Sequence, residues 1–258
     1  MGYPSYYLDV VSENDPHNGS VLQKFGRNDN VGTSFVPVCF GGFYRTPQVS
    51  GATQLRVKAG NANDTSDGSG ARSVFIEGID ANGELATETL ATNGESAGSN
   101  SVNSYIRVFR GYVLTTGTYG TQLAGSHSAD ITIENAAGTE DWLTIDSNGF
   151  SRGQSEIGAY TVPKGKAAYI LDFEYSVDTS KVSKLLLFRR NNILDTAAPY
   201  SAIREVFSFE ALVSAGEYSF DAPLGPFEEY TDVGFLGTSN NSGGTINVAF
   251  SILVRDKE

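Results

Sequence analysis

The sequence predicts an all-β protein: two antiparallel β-sandwich lobes, of jelly-roll or immunoglobulin-like type, preceded by an extended N-terminal arm. Three observations lead there. The 258 residues include 29 Gly, 13 Tyr and 15 Phe against one Met and one Trp, with Thr, Ser and Val throughout, a balance that favours strands and turns over helices. Residues 73–94 read as a hairpin. Val74, Phe75, Ile76 and Ile79 supply an apolar run, Asp80-Ala81-Asn82-Gly83 the turn, and Leu85, Thr87 and Thr89 one face of a return whose other face carries Glu84 and Glu88. The second half holds about seven alternating segments with turn signals about every ten residues, the spacing of a sandwich.

A chain of this length buries roughly 70% of its unfolded surface, ample for one large core or two small ones. Two are expected, over residues 51–150 and 151–258, after an arm over 1–50. The arm carries Tyr6, Tyr7, Leu8, Phe25, Phe35, Phe40, Phe43 and Tyr44 at irregular spacing, broken by Asn14-Asp15-Pro16 and Asn28-Asp29-Asn30. Such a segment does not pack alone; it lies as an arm or edge strand on its own body or on a neighbouring copy.

Residues 54–59 alternate, with Leu55 and Val57 on one face. A polar loop over 60–70 leads into the hairpin. Residues 105–115 form a long strand with apolar groups on both faces, which implies cover on both sides. Shorter strands fit 129–134 and 141–145, and Asp146-Ser147-Asn148-Gly149 breaks the pattern near the expected boundary at 150. Beyond it, 157–162 turns through Pro163-Lys164-Gly165 into 167–177, where Tyr169, Leu171, Phe173, Tyr175 and Val177 share a face opposite Asp172, Glu174 and Ser176. Strands follow at 182–190, 203–212, 217–220, 232–237 and 245–254. The segment 202–213 also approximates a helical period through Ile203, Val206, Phe207 and Ala211, but the alternation of Phe207, Phe209, Ala211 and Val213 favours a strand.

With 18 basic and 30 acidic side chains the formal charge is −12, which disfavours nucleic-acid partners. No apolar run approaches about 18 residues and no signal peptide is visible, so no membrane partner is expected. The lone Cys39, inside Phe35-Val36-Pro37-Val38-Cys39-Phe40, reads as a small buried hydrophobe.

The chemical leads are thin. Two histidines cannot build a His-rich metal site, and Ser126-His127-Ser128-Ala129-Asp130 lies along one extended chain, where neighbours point to opposite faces. Gly153-Gln154-Ser155-Glu156-Ile157 lacks the second glycine of a nucleophile elbow. The oxygen-rich run Asn61-Ala62-Asn63-Asp64-Thr65-Ser66-Asp67-Gly68 lacks the alternation of a calcium loop and reads as a solvated turn. Glu140-Asp141 beside Trp142 is the one carboxylate pair suggestive of sugar chemistry, and Lys181, Lys184, Arg189 and Arg190 form a small basic patch. No catalytic residue, cofactor or metal is called for.

Tyr6-Tyr7-Leu8-Asp9-Val10, Lys24-Phe25-Gly26-Arg27-Asn28 and Gly41-Gly42-Phe43 resemble the N-terminal segment of β-rich virion structural proteins of tailed bacteriophages. The run from Gly78-Ile79-Asp80 to Asn93-Gly94 is similar to their recurring hairpin, as are Gln154-Ser155 and the stretch from Ala159 to Lys166. The likeness spans most of the chain and rests on turn and packing residues. It implies a capsid- or tail-attached component without enzymatic activity, assembled in the host cytoplasm and carried on the virion. The expected partners are a major capsid protein or tail proteins and further copies of the chain in a homo-oligomer, with a trimer as one option. Tyr6, Tyr7, Leu8, Phe25, Phe35 and Phe43 are the expected docking residues. Head decoration or head fibre ranks ahead of a tail or fibre attachment, and a host-glycan-binding adhesin is the alternative.

Overall fold

The computed structural model describes residues 18–46, 50–121, 125–148 and 152–257. In chain order the strands are β1 (Ser20–Val31), β2 (Val36–Pro37), β3 (Thr53–Ala59), β4 (Ala71–Asp80), β5 (Leu85–Ala91), β6 (Ser104–Thr116), β7 (Ile131–Asn135), β8 (Asp141–Ile145), β9 (Ala159–Thr161), β10 (Lys166–Val177), β11 (Ser183–Arg190), β12 (Arg204–Leu212), β13 (Gly216–Phe227), β14 (Asp232–Ser239) and β15 (Gly244–Asp256). Every named pairing between them is antiparallel. The expected all-β class holds.

The first lobe is one six-stranded sheet, in the order β5-β4-β6-β3-β7-β8. It turns back on itself at β3, which pairs with β6 at Thr53 and Gln54 and then with β7 from Leu55 to Ala59. As a result β8 packs on β6, and Leu55, Val57, Val74, Ile76, Ile131 and Ile133 are shut inside. The β4–β5 hairpin forms as its turn residues require. Asp80 accepts the backbone N–H of Asn82 and of Glu84, and Gly83 takes φ +81° at low steric cost. The return strand faces the other way from a simple hydrophobic reading. Leu85, Thr87 and Thr89 are the exposed set, while Leu90 is buried and Glu88 turns in to accept the N–H groups of Val102 and Asn103.

The second lobe is a two-sheet sandwich. One sheet has four strands, β1-β15-β10-β13; the other is β12-β11-β14-β2, with β9 also on β14. The inward residues of β15, Ile246, Val248, Phe250, Ile252 and Val254, alternate without a break, as the sequence predicts. In β10 the alternation does break. The register slips between Ile170 and Asp172, a bulge that absorbs one residue. The inward set is therefore Ala168, Ile170, Phe173, Tyr175 and Val177, in place of the expected set beginning with Tyr169 and Leu171. Phe173 meets Phe235 across the sandwich at 5.2 Å between centroids, and Phe235 meets Phe250 at 5.4 Å. Residues 204–212 are a strand, because Phe207 and Phe209 fill the space opposite Leu187 and Leu185 and pack on Tyr218.

The sequence left two uses open for the segment 1–50, and its residues 18–46 take one of them. They are built into the chain's own body. β1 is the edge strand against β15, β2 lies on β14, Cys39 bridges to Ile157, and Asn28 donates its side-chain N–H to the Pro37 carbonyl. Tyr6, Tyr7, Leu8 and the expected boundary near 150 fall outside the described residues.

The lobes meet along β6, whose Tyr105, Ile106, Arg107, Val108 and Phe109 are buried consecutively, as apolar groups on both faces imply. At the seam Arg107 and Asp232 are both fully buried and paired two-handedly, Nε to both carboxylate oxygens at 3.1 Å and Nη2 to Oδ2 at 2.8 Å. Thr161 donates its hydroxyl proton to Asp232 at 2.6 Å, so the Tyr44 hydroxyl, 2.5 Å from Thr161, is the donor to it.

Candidate functional site around Phe25

Strand β1 places Phe25 on the outer face of the four-stranded sheet, and the register sets its neighbours. One cross-strand row reads Gln23, Ser251, Asp172, Ser219; the next reads Phe25, Ala249, Glu174, Glu217; a third reads Arg27, Asn247, Ser176. The small Ala249 between Phe25 and Glu174 leaves a hollow, and a groove of about 480 Å³ runs there. Around it the polar side chains are already tied into chains. Gln23 Nε2 donates to Ser251 Oγ at 3.0 Å, Ser251 Oγ to Asp172 Oδ1 at 2.7 Å, and Asn247 Nδ2 to Ser176 Oγ at 3.0 Å. Glu174 and Glu217 oppose each other directly, an unfavourable like-charge pair.

On the other side of Phe25 a crevice of about 200 Å³ opens between the lobes, lined by Lys24, Phe109, Arg110, Tyr112, Gln154 and Ser155 among others. The segment before β9 makes one wall by running along β6, with Ser155 N–H to the Gly111 carbonyl at 2.7 Å and Val113 N–H to the Gly153 carbonyl at 2.7 Å. Lys24 points inward from β1 and is only 6% exposed. Its ammonium donates to the Phe109 carbonyl and lies 5.3 Å from the centre of the Phe109 ring. Burial, then the neighbouring Arg110, lower its pKa to about 7, against a smaller opposing pull from Glu77 and Cys39.

The expected docking residues are not gathered into one patch. Phe25 is 39% exposed on the four-stranded sheet, Phe35 is 48% exposed just before β2 on the five-stranded one, and Phe43 is half-buried against the turn at Gly41. Lys24, Arg110 and Gln154 were not singled out as a group by sequence reasoning. They come from β1, β6 and the inter-lobe segment, and only the inward parity of Lys24 on an alternating strand could have pointed to it.

The other leads take the following places in the structure. Ser126 and His127 do meet, contrary to the extended-chain expectation, with Oγ 2.8 Å from Nδ1, but Asp130 accepts the N–H and hydroxyl of Ser147 instead of completing a relay. Burial lowers the His127 pKa. Asp64, expected in a solvated turn, is fully buried and accepts the N–H groups of Ala71 and Ser128, so it staples the loop. Arg45 pairs with Glu140 at 2.9 Å and lies over the buried Trp142 ring at 4.0 Å. Cys39 is buried, as expected, and burial pushes its thiol up to about 12. Among the described residues no group of three or more metal-ligating side chains occurs, and no helix is long and apolar enough to cross a membrane.

No protein-family model matches the chain, and no curated protein matches it by sequence. Among solved structures it is similar to that of infectious bursal disease virus, Gx strain (8% identity, 97% of this chain and 82% of that one, TM-score 0.21). Two others are the VP2 subviral particle of the same virus (9%, 99% and 83%, TM-score 0.20) and the insecticidal delta-endotoxin Cry8Ea1 of Bacillus thuringiensis (9%, 93% and 60%, TM-score 0.18). Similarity at these scores carries no argument about function.

Proposed function

We propose that this chain is a non-enzymatic structural component of a tailed-phage virion, carried on the outside of the head as a decoration or head-fibre protein and attached through its N-terminal segment. The observation that carries the reading is the way residues 18–46 lock into both sheets of the second lobe and onto the first. An attachment segment needs a fixed root, and Tyr3, Tyr6, Tyr7, Leu8 and Val10 directly precede this one. Phe25 and Phe35, exposed on the same segment, add apolar surface for a partner. The charge of −12 favours an exterior position, away from packaged DNA.

Removing residues 2–17 leaves β1 intact, and the expected result is a folded protein that no longer joins the particle. Incorporation of this truncated protein into virions at the normal level would overturn the reading. Copy number against the major capsid protein separates head from tail, since hundreds of copies fit decoration and about twelve or fewer fit a tail ring. The groove beside Phe25, lined by the prearranged Asn247 amide and Ser176 hydroxyl and by the carboxylates of Glu174 and Glu217, favours a host-glycan adhesin as the second reading. A glycan array without signal from the assembled protein would remove it.

A further inference from the structure

We propose that the crevice between the lobes is an anion-binding site, taking one small oxyanion, a carboxylate or sulfate/phosphate group, on Lys24, Arg110, Gln154 and Tyr112. Three observations converge on it, and none depends on the virion reading. In a chain with 30 acidic side chains, no Asp or Glu is among the described residues lining this crevice, whereas Lys24, Arg110, Tyr112, Gln154 and Ser155 bring donors to it beside the rings of Phe25 and Phe109. Lys24 is more than nine-tenths buried and spends one N–H on the Phe109 carbonyl, so an ammonium with three donors has room for two more acceptors. A buried cation without a counter-ion in hydrogen-bond reach costs free energy that a bound anion would offset. The charged and titratable groups around Lys24 are Arg110 and Glu77 from the first lobe and Cys39 from the segment after β2. Glu77 is taken up by Arg110, its carboxylate 3.4 Å from Nε, and the thiol of Cys39 stays protonated. At about 200 Å³ the space admits a sulfate, a phosphate or the acid end of one sugar, since a water occupies about 30 Å³.

The pH dependence has a definite sign. The ammonium form is the binding form, and with a pKa of about 7 its population falls between pH 6 and pH 8. A bound anion raises that pKa, so affinity is higher at pH 6. Sulfate and glucuronate, whose own charges do not change over this range, are the probes, titrated by calorimetry into the full-length protein at fixed ionic strength. The expected result is saturable one-to-one binding that weakens several-fold from pH 6 to pH 8. Gln154→Leu should weaken it at least about fivefold while leaving the melting temperature unchanged, and Arg110→Gln should weaken it as much in a protein that still folds, its melting temperature shifted only by the lost pair with Glu77; a hydrogen bond to a charged group is large enough for that. Lys24→Met should abolish both binding and its pH dependence, and because that variant alters a buried residue, the first two carry the decision if it fails to fold. Absence of saturable binding of either ion, equal affinity in Arg110→Gln and the unaltered protein, or binding of a hexaglutamate peptide but of neither small ion would overturn the proposal.

Discussion

The seam between the lobes turns on two side chains. Arg107 and Asp232 lie 125 positions apart, and each is fully buried with no access to water. Burying such a pair gains little over an apolar filling, but removing one partner strands the other charge in a dry place, which costs on the order of 3–5 kcal/mol. Asp232→Ala should lower the stability by that amount in urea denaturation, and Arg107→Met with Asp232→Leu should recover most of it. A loss under about 1 kcal/mol for the single variant would mean that water reaches the pair. Nothing local marks these residues. Arg107 sits in an apolar run, Ile106-Arg107-Val108-Phe109, and a charge there reads as an interruption until the partner strand is known.

At the scale of the strand, β1 depends on a close approach. A Cβ on Gly26 would collide with the backbone of Gly158 and with the Val38 carbonyl, so the strand can lie down only where a side chain is missing. Gly26→Ala should lift β1 away from the body at a cost of about 1–3 kcal/mol or more. Hydrogen exchange is the measurement. Amides of residues 21–28 should lose protection while those of β4 keep it, and uniform protection would mean the backbone adjusts without cost. Strand-level features were the most legible in the sequence. The hairpin at 73–94 and the unbroken alternation of β15 follow from residue type and period alone. Sequence alternation alone sets β10 one residue out of step before its bulge, because the extra residue is a property of the pairing with Ser251 and Ile252 and leaves no mark in the run itself. β1 looks like part of an arm in the sequence because its partner, β15, lies more than two hundred residues further on.

Over the whole molecule, the two lobes share one continuous buried cluster, and the segment 18–46 touches both. Arg27 of β1 reinforces this by pairing with Glu156 and Asp146, two nearly buried carboxylates from the inter-lobe segment and the end of β8. The molecule should therefore unfold in one calorimetric transition, with the van't Hoff enthalpy equal to the measured one. Two resolved transitions would mean that the lobes are independent. Deleting residues 2–30, in contrast to 2–17, should destabilise everything, because it removes β1. The sequence reading expects two cores, whereas the buried residues of both halves belong to one cluster. The coupling rests on polar side chains, Tyr44, Arg27, Arg107 and Asp232, whose partners are fixed by topology and not by spacing.

The position of β15 has a consequence for the order in which the chain can be assembled. It lies in the interior of its sheet, between β1 and β10, yet it follows every other strand in the sequence. During synthesis the strands of the first lobe emerge together and can pair among themselves, whereas β1, the earliest of the described strands, has no ladder partner until more than two hundred further residues have been added. For all that time its amide and carbonyl groups, and the inward face bearing Lys24, stay open to water or to a chaperone. The ribosome must therefore have added β15 before β1 can find its place in the sheet.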